Sequence, residues 1–291
     1  MKKISIFCFG FGQVAKNFIE KIDAENIKIN LSTTSRKKTH QKKIKKINYT
    51  SFKFHDEDFD PDLIKNLEEA DYILISIPPK NGTDKVIENF SKIIENCNPK
   101  WITYLSATSV YGDHKGEWVN EQSKTIPTSD NGISRLAAEK SWTNLCTNKK
   151  LPFQIFRLSG IYSFQNNVLA RLQSGTASII NSENNFFSRI HVEDIANILF
   201  ESLSNFKSGE IFNISDDKPS SAKEVILYGV KILNVKKPKS IEIENIESNM
   251  LKNFYKDSKK VSNKKMKNFF KYNLKFPTYK EGLDYMRNRF I

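Results

Sequence analysis

Cysteine is scarce in this 291-residue chain: Cys8, Cys97 and Cys146 lie far apart and match no metal-ligand spacing. That excludes a disulfide framework, fits a reducing compartment, and leaves the three thiols as small core residues. Long apolar runs are missing too, since nothing approaches the roughly 20 residues of a membrane span. The apolar residues 4–11 behind Met1-Lys2-Lys3 imitate a signal peptide, but they are few and run into glycines without a small-residue cleavage site. A cytoplasmic protein without a membrane partner is expected. No internal repeat and no low-complexity linker divides the chain, and no Ser-His-Asp order or paired-acid spacing stands out.

Acidic residues are in deficit, with 33 Asp and Glu against 46 Lys and Arg and a net charge of +13. Such an excess raises nucleic acid as a partner. The lysines are scattered, however, and no recognition helix, zinc finger or aromatic RNA-binding stripe is visible. The excess therefore reads as a solvated basic surface, and a nucleic-acid partner is not expected. With 38% hydrophobic residues the chain can bury one large domain or two unequal ones.

Short apolar runs at residues 3–9, 27–33, 72–77, 101–105 and 153–158 predict strands. Helical spacing at 14–22, 86–94 and 133–147 places helices between several of them. A lysine-rich surface stretch runs to Lys46. Such alternation implies βαβ units, hence a parallel sheet covered on both faces. Beyond Gly160 the rhythm changes to short strands at 178–180 and 211–214 mixed with helices at 192–203 and 222–233, followed by a lysine-rich tail. The expected architecture is α/β: a Rossmann-type doubly wound parallel sheet over residues 1–160, with a smaller C-terminal α+β substrate lobe over 161–291. Some segments of that lobe are allowed to return to the sheet.

Gly10-Phe11-Gly12-Gln13-Val14-Ala15 fits G-x-G-x-x-G/A, directly after the first strand and at the mouth of the first helix. Gly10 permits the tight turn, Gly12 admits a pyrophosphate, and Ala15 allows close helix-strand packing. An acid at the end of the second strand accepts from a ribose hydroxyl, whereas an arginine pairs with a 2′-phosphate. The chain offers Thr34, Ser35 and Arg36 there, followed by Lys37, which favours NADP over NAD as cofactor. Ser76-Ile77-Pro78-Pro79, ending the fourth strand, would wall the same cleft.

The chain resembles the extended short-chain dehydrogenase/reductases of the nucleotide-sugar epimerase and dehydratase type. Beside the glycine turn, the matching stretches are Leu105-Ser106-Ala107-Thr108-Ser109-Val110-Tyr111-Gly112 and Asn131-Gly132-Ile133-Ser134-Arg135-Leu136-Ala137-Ala138-Glu139. Arg157-Leu158-Ser159-Gly160-Ile161-Tyr162 and Arg189-Ile190-His191-Val192-Glu193-Asp194-Ile195-Ala196 add to them. The tail at 264–282, with Phe276-Pro277-Thr278-Tyr279 and Glu281-Gly282-Leu283, looks like that of an atypical subgroup. The resemblance implies a cofactor set of Gly10, Gly12, Gln13, Val14, Ser35, Arg36, Ile77, Pro78, Ser106 and Arg135. It also implies a small-molecule substrate, sugar- or nucleotide-linked, and a homodimer.

In that family a Tyr four residues before a Lys exchanges a proton with the substrate, assisted by a Ser or Thr. Aligning the motif puts Asn131 at the Tyr, Arg135 at the Lys and Ala107 at the helper hydroxyl. Asparagine does not exchange a proton near neutral pH, and arginine is not deprotonated in proteins. Thr108, Tyr111 and Arg135 are the remaining weak catalytic candidates, with Tyr104 and Glu121 as further proton donors. His191 reads as the opening of a helix joining the two lobes, and Asp194 as favourable in that helix's first turn. Arg157 and Arg189 could bind anionic groups or serve as structural partners. The expectation is an NADP-linked oxidoreductase or sugar-nucleotide-modifying enzyme with non-standard acid-base residues, against a catalytically inactive dinucleotide-binding regulator or redox sensor.

Overall fold

A computed structural model describes residues 3–182, 185–246, 255 and 257–290. The chain opens with β1 (Ile4–Phe9), α1 (Gln13–Ala24) and β2 (Ile29–Ser35). Strand β1 is apolar to its end because it lies inside a sheet, with Phe7, Cys8 and Phe9 fully buried. Helix α1 buries Val14, Ala15, Phe18, Ile19 and Ile22, spaced to make one inward stripe. There follow β3 (His40–Ile44), β4 (Ile47–His55), β5 (Asp58–Phe59), α2 (Asp62–Glu68), β6 (Tyr72–Ile75), α3 (Lys85–Ile94) and β7 (Trp101–Ala107). Asp84 caps α3 by accepting from the amides of Val86 and Ile87.

Next come β8 (Trp118–Val119), α4 (Asp130–Asn148), β9 (Phe153–Leu158), β10 (Gly160–Tyr162), α5 (Val168–Gln173), β11 (Ile179–Asn181) and β12 (Arg189–His191). The chain continues through α6 (Val192–Glu201), β13 (Ile211–Ile214), α7 (Ala222–Leu233), β14 (Ser240–Glu242), β15 (Lys260–Val261), α8 (Lys264–Phe270) and α9 (Tyr279–Arg287). The main sheet runs β13-β9-β7-β6-β1-β2-β4-β3. Pairs β1–β2, β1–β6, β2–β4 and β6–β7 are parallel, and the β3 edge and the short β5 run antiparallel to β4. The order reverses direction between β1 and β6, the switch point of a doubly wound Rossmann-type α/β fold.

Three expected stretches differ from the structure. The second strand is shifted to Ile29–Ser35 because Asn26 turns left-handed at φ 57° and the Ile27 amide still bonds back to Ile22. The lysine-rich stretch is not merely surface loop: it forms β3, paired antiparallel to β4. Strand β6 ends at Ile75 rather than at residue 77, since Pro78 and Pro79 carry no N–H for a ladder. The five expected helices agree to within a turn, and the helices α2, α5, α8 and α9 are additions to the sequence reading.

The chain divides into two compact units of interleaved segments, whereas the sequence reading places one boundary near Gly160. The first comprises Met1–Ala107, Ile133–Arg157 and Ile195–Phe212. Its core is built on Phe7, Phe9, Phe90, Ile102, Trp142 and Ile155. The second comprises Thr108–Gly132, Leu158–Asp194 and Asn213–Ile291. There α5, α7 and α9 bury Leu169, Ile179, Ile226, Tyr279 and Leu283, and parallel pairs β10–β12, β11–β14 and β15–β8 connect distant segments. Residues 211–214 are the expected lobe strand that returns to the main sheet, as its edge β13. Among the described residues no helix is long and apolar enough to cross a membrane.

Candidate functional site

Gly10 sits at φ +81°, and a Cβ there would come within 2.9 Å of Ser76 Oγ and 3.0 Å of Ile77. Only glycine suits that corner. Its amide donates to Thr34 Oγ1 at 2.8 Å, and Ser76 Oγ donates to the carbonyls of Phe9 and Gly10 at 2.9 and 3.1 Å. Three strand ends are thus tied together at the switch point. Gly12 is different: a Cβ at this position would meet nothing within 4 Å. The fold does not need that glycine for its own packing, so the room it leaves is available to something outside the chain. Gly12 is also the N-cap of α1, with no side-chain cap and no acid in the first turn. A 12-residue helix therefore turns its positive end, with Gln13 and Val14 in its first turn, to that space.

At the end of β2, Ser35 is half-buried and its hydroxyl meets no partner. Arg36 and Lys37 are exposed, and among the described residues the Arg36 guanidinium meets no carboxylate. Ile77 is half-buried against the core and Pro78 exposed, so the β6 end presents an apolar rim.

The acid-base positions look otherwise. Ala107 ends β7, Asn131 is exposed in the first turn of α4, and Arg135 donates through Nη1 to the Leu105 carbonyl at 2.7 Å, while its Nε is buried without a partner. Tyr104 is fully buried with an unpartnered hydroxyl, and burial pushes its phenol far up despite nearby Arg135. In the second unit Tyr111 is fully buried and donates to Asn213 Oδ1 at 2.8 Å, and the Asn213 amide donates to Glu121 at 2.8 Å. Two of the proposed proton donors are thus brought together, but on one buried asparagine. Thr108, 9% exposed, opens the short 3-10 turn that carries Tyr111.

Ser106 is committed inward: its hydroxyl donates at 2.5 Å to Glu139, which also receives Arg157 Nη2 at 2.7 Å and Nε at 3.1 Å. All three residues are at most 4% exposed. Arg157 is therefore a structural partner rather than an anion receptor. Sequence reasoning missed Glu139 as its counterion, although a carboxylate closing Leu136-Ala137-Ala138-Glu139 on the apolar side of a helix was a readable signal.

His191 is fully buried, packed on Phe276 at 4.1 Å and Tyr162 at 5.0 Å, and burial lowers its pKa to about 4. It is a neutral core imidazole, with Nδ1 accepting from the Glu193 amide. Asp194, also fully buried, accepts from Tyr272 Oη at 2.8 Å and from the amides of Lys275 and Phe276 at 2.7 and 3.0 Å. Arg189 donates to the carbonyls of Phe187 and Ser220, and burial holds its pKa down and that of neighbouring Asp216 well up. Nothing in the sequence pattern marked Asn213 or Asp216. Among the described residues no group of three His, Cys, Asp or Glu could hold a metal ion.

No curated protein sequence matches the chain. Among solved structures it is similar to a functionally unknown conserved protein from Silicibacter pomeroyi, at 27% identity and TM-score 0.81 over 98% of each chain. It is also similar to UDP-N-acetylglucosamine 4-epimerase from Bacillus cereus, at 17% identity and TM-score 0.78 over 99% of each chain. The dTDP-glucose 4,6-dehydratase from Bacillus anthracis, in complex with NAD, aligns at 17% identity and TM-score 0.76 over 98% of this chain and 96% of that one. The model of the NAD dependent epimerase/dehydratase family matches residues 10–215. Strand order, glycine turn and a family match over most of the sequence agree, so the chain belongs to that family and is an NAD(P)-binding protein of the extended short-chain dehydrogenase/reductase type.

Proposed function

We propose that the chain binds NADP in preference to NAD and acts as an oxidoreductase or sugar-nucleotide-modifying enzyme with non-standard acid-base residues. The observation that carries this reading is the open space at Gly12 under an uncapped helix terminus, together with an unpaired Arg36 directly after β2. When bound, the nicotinamide ring supplies hydride transfer. The chain's part is to hold and orient. Gly10 and Gly12 shape the turn, the first-turn amides at Gln13 and Val14 meet the pyrophosphate, and Ser35 and Arg36 meet the adenosine ribose and its 2′-phosphate. Ile77 and Pro78 exclude water along one wall. Ser106 contributes through its backbone, because its hydroxyl is given to Glu139. Arg135 keeps part of its guanidinium for a ribose oxygen, a role that needs charge but no proton exchange.

Two of the solved neighbours named above, the 4-epimerase and the 4,6-dehydratase, are named for UDP- and dTDP-linked sugars, which supports a nucleotide-linked sugar as substrate class. A second reading, a dinucleotide-binding regulator or redox sensor, is favoured by one feature. Every hydroxyl and carboxylate considered as a replacement proton donor, except that of Thr108, is buried or already committed. A homodimer is an expectation of the resemblance that light scattering checks.

Calorimetric titration decides the cofactor. NADPH is expected to bind more tightly than NADH, and Arg36→Ala to cost NADPH about 1–3 kcal/mol while leaving NADH unchanged. Equal or tighter binding of NADH by the wild type would sink the preference. Turnover of UDP- and dTDP-sugars with bound cofactor separates enzyme from sensor.

A further inference from the structure

Part of the positive charge is concentrated in the lysine-rich stretch that ends at Lys46, and the fold places that stretch, unpaired, on one sheet edge. Residues 36–55 contain no aspartate or glutamate. They make the hairpin whose outer strand, β3, is the last of the main sheet. Lys42 and Lys43 on that strand and Lys45 and Lys46 at its turn are exposed, and among the described residues none of the four meets a carboxylate. On inner strand β4, by contrast, Lys53 is paired with Asp58.

Lys42 stands opposite Tyr49 and Lys43 opposite Asn48, so the two lysines project from opposite faces of the strand. With the two at the turn they form a convex comb around an edge rather than a pocket. A single small anion would touch one or two of them, whereas an extended polyanion reaches all four. The hairpin offers little stacking platform for unpaired bases, because β3 has no Phe, Tyr or Trp, only the half-buried His40 at its start, and Tyr49 opposite it is buried. Nor does it offer a helix to enter a groove. Contact with phosphates alone remains, and that is strongest on a duplex, which carries one negative charge per roughly 1.7 Å of axis. The turn lies where the parallel strands begin, and the Gly10 corner lies where β1 ends, so the two sites occupy opposite ends of the sheet.

We propose that the β3 edge is a sequence-independent docking surface for the phosphate backbone of double-stranded nucleic acid, separate from the dinucleotide cradle. Lysines on an edge strand also prevent edge-to-edge pairing of sheets, and the test must separate the two uses.

The full chain is titrated into a short DNA duplex of random sequence, followed by fluorescence anisotropy at about 50 to 200 mM salt. Binding is expected, and the combined variant Lys42→Gln, Lys43→Gln, Lys45→Gln, Lys46→Gln should flatten the dependence of log K on log salt by about 3.6, at about 0.9 per phosphate lost. A charge-matched control, Lys223→Gln, Lys236→Gln, Lys237→Gln, Lys239→Gln, should keep the wild-type slope. NADPH titration, unchanged in both variants, verifies that each is folded. No binding by the wild type at the lowest salt overturns the proposal, as does an equal loss in the control. A hairpin variant that self-associates although the wild type ignores DNA assigns the lysines to edge protection instead. Retention on phosphatidylserine vesicles without DNA binding assigns them to a membrane surface, which also overturns it.

Discussion

The glycine turn at the end of β1 keeps the family pattern, whereas the positions that the resemblance aligns with the family's Tyr, Lys and helper hydroxyl carry Asn131, Arg135 and Ala107. The turn works through backbone: a left-handed Gly10, an open Gly12 and the amides of a helix terminus. Substitutions elsewhere leave such a device untouched. The family's acid-base set works through side-chain chemistry, which Asn131, Arg135 and Ala107 at the aligned positions do not supply in its usual form. Behind the strand that carries Ala107, Glu139 joins Ser106 to Arg157. On the proposed reading, cofactor binding and proton transfer are separable properties of this fold, the first carried by backbone and the second by side chains.

The contrast can be broken most sharply at the two glycines. Gly12→Val should abolish binding of either dinucleotide with unchanged thermal stability, because its side chain fills space the fold leaves empty. Gly10→Ala should instead destabilise the protein, since it strains a left-handed corner and presses on Ser76. Calorimetry and thermal melts read both, and normal binding by Gly12→Val would reduce the turn to a structural feature. Next in size is Glu139→Ala, expected to cost about 3–5 kcal/mol in urea unfolding by leaving the Arg157 charge buried and alone. A small loss would mean that the Ser106–Glu139–Arg157 cluster does not support the strand that carries Ala107.

His191 sharpens the second unit's part. Its native pKa near 4 lies below the unfolded value of about 6.5, so the unfolded chain takes up the proton first as pH falls. Its contribution is complete above about 6.5, declines through that window and is lost by about 4, a span worth about 3 kcal/mol. Urea midpoints across this range should fall less steeply for His191→Gln than for the wild type. Parallel curves would show that the imidazole is not held neutral. The smallest expected effect is on rate. Asn131→Tyr with Arg135→Lys and Ala107→Ser should raise any residual turnover of nucleotide sugars, by up to about 10²–10⁴-fold if the cleft keeps the family orientation. Efficient wild-type turnover independent of these positions would instead point to Thr108, Tyr111 or Glu121.

Legibility in the sequence followed the range of the interactions. Gly10 to Ala15, the buried run at β6 and the stripe of α1 are local patterns, and the structure keeps them. Strand β4 alternates inward Ile47, Tyr49 and Ser51 with outward neighbours, yet the preceding lysines obscured it. The meeting of Tyr111 and Glu121 on Asn213 spans 102 and 92 residues, and no periodicity encodes such a contact. Of the candidate site, the geometry of the glycine turn was legible because helix and strand periodicity specify it. The fate of the replacement proton donors was not, because burial and hydrogen-bond commitment arise only on folding.

Asp194 carries a consequence for how the protein is made. Its carboxylate is buried at the start of α6, and its partners, Tyr272, Lys275 and Phe276, follow 78 to 82 residues later. During synthesis, at about 5–20 residues per second, α6 leaves the ribosome several seconds before anything can satisfy that charge. Until then the first turn of α6 must stay hydrated, so the second unit cannot close while the chain is still growing past residue 276. The first unit has only to wait for β13. A nascent chain stalled between these two points should thus hold a finished dinucleotide cradle beside an open, protease-sensitive second unit, and chaperones would meet the protein in that half-built form.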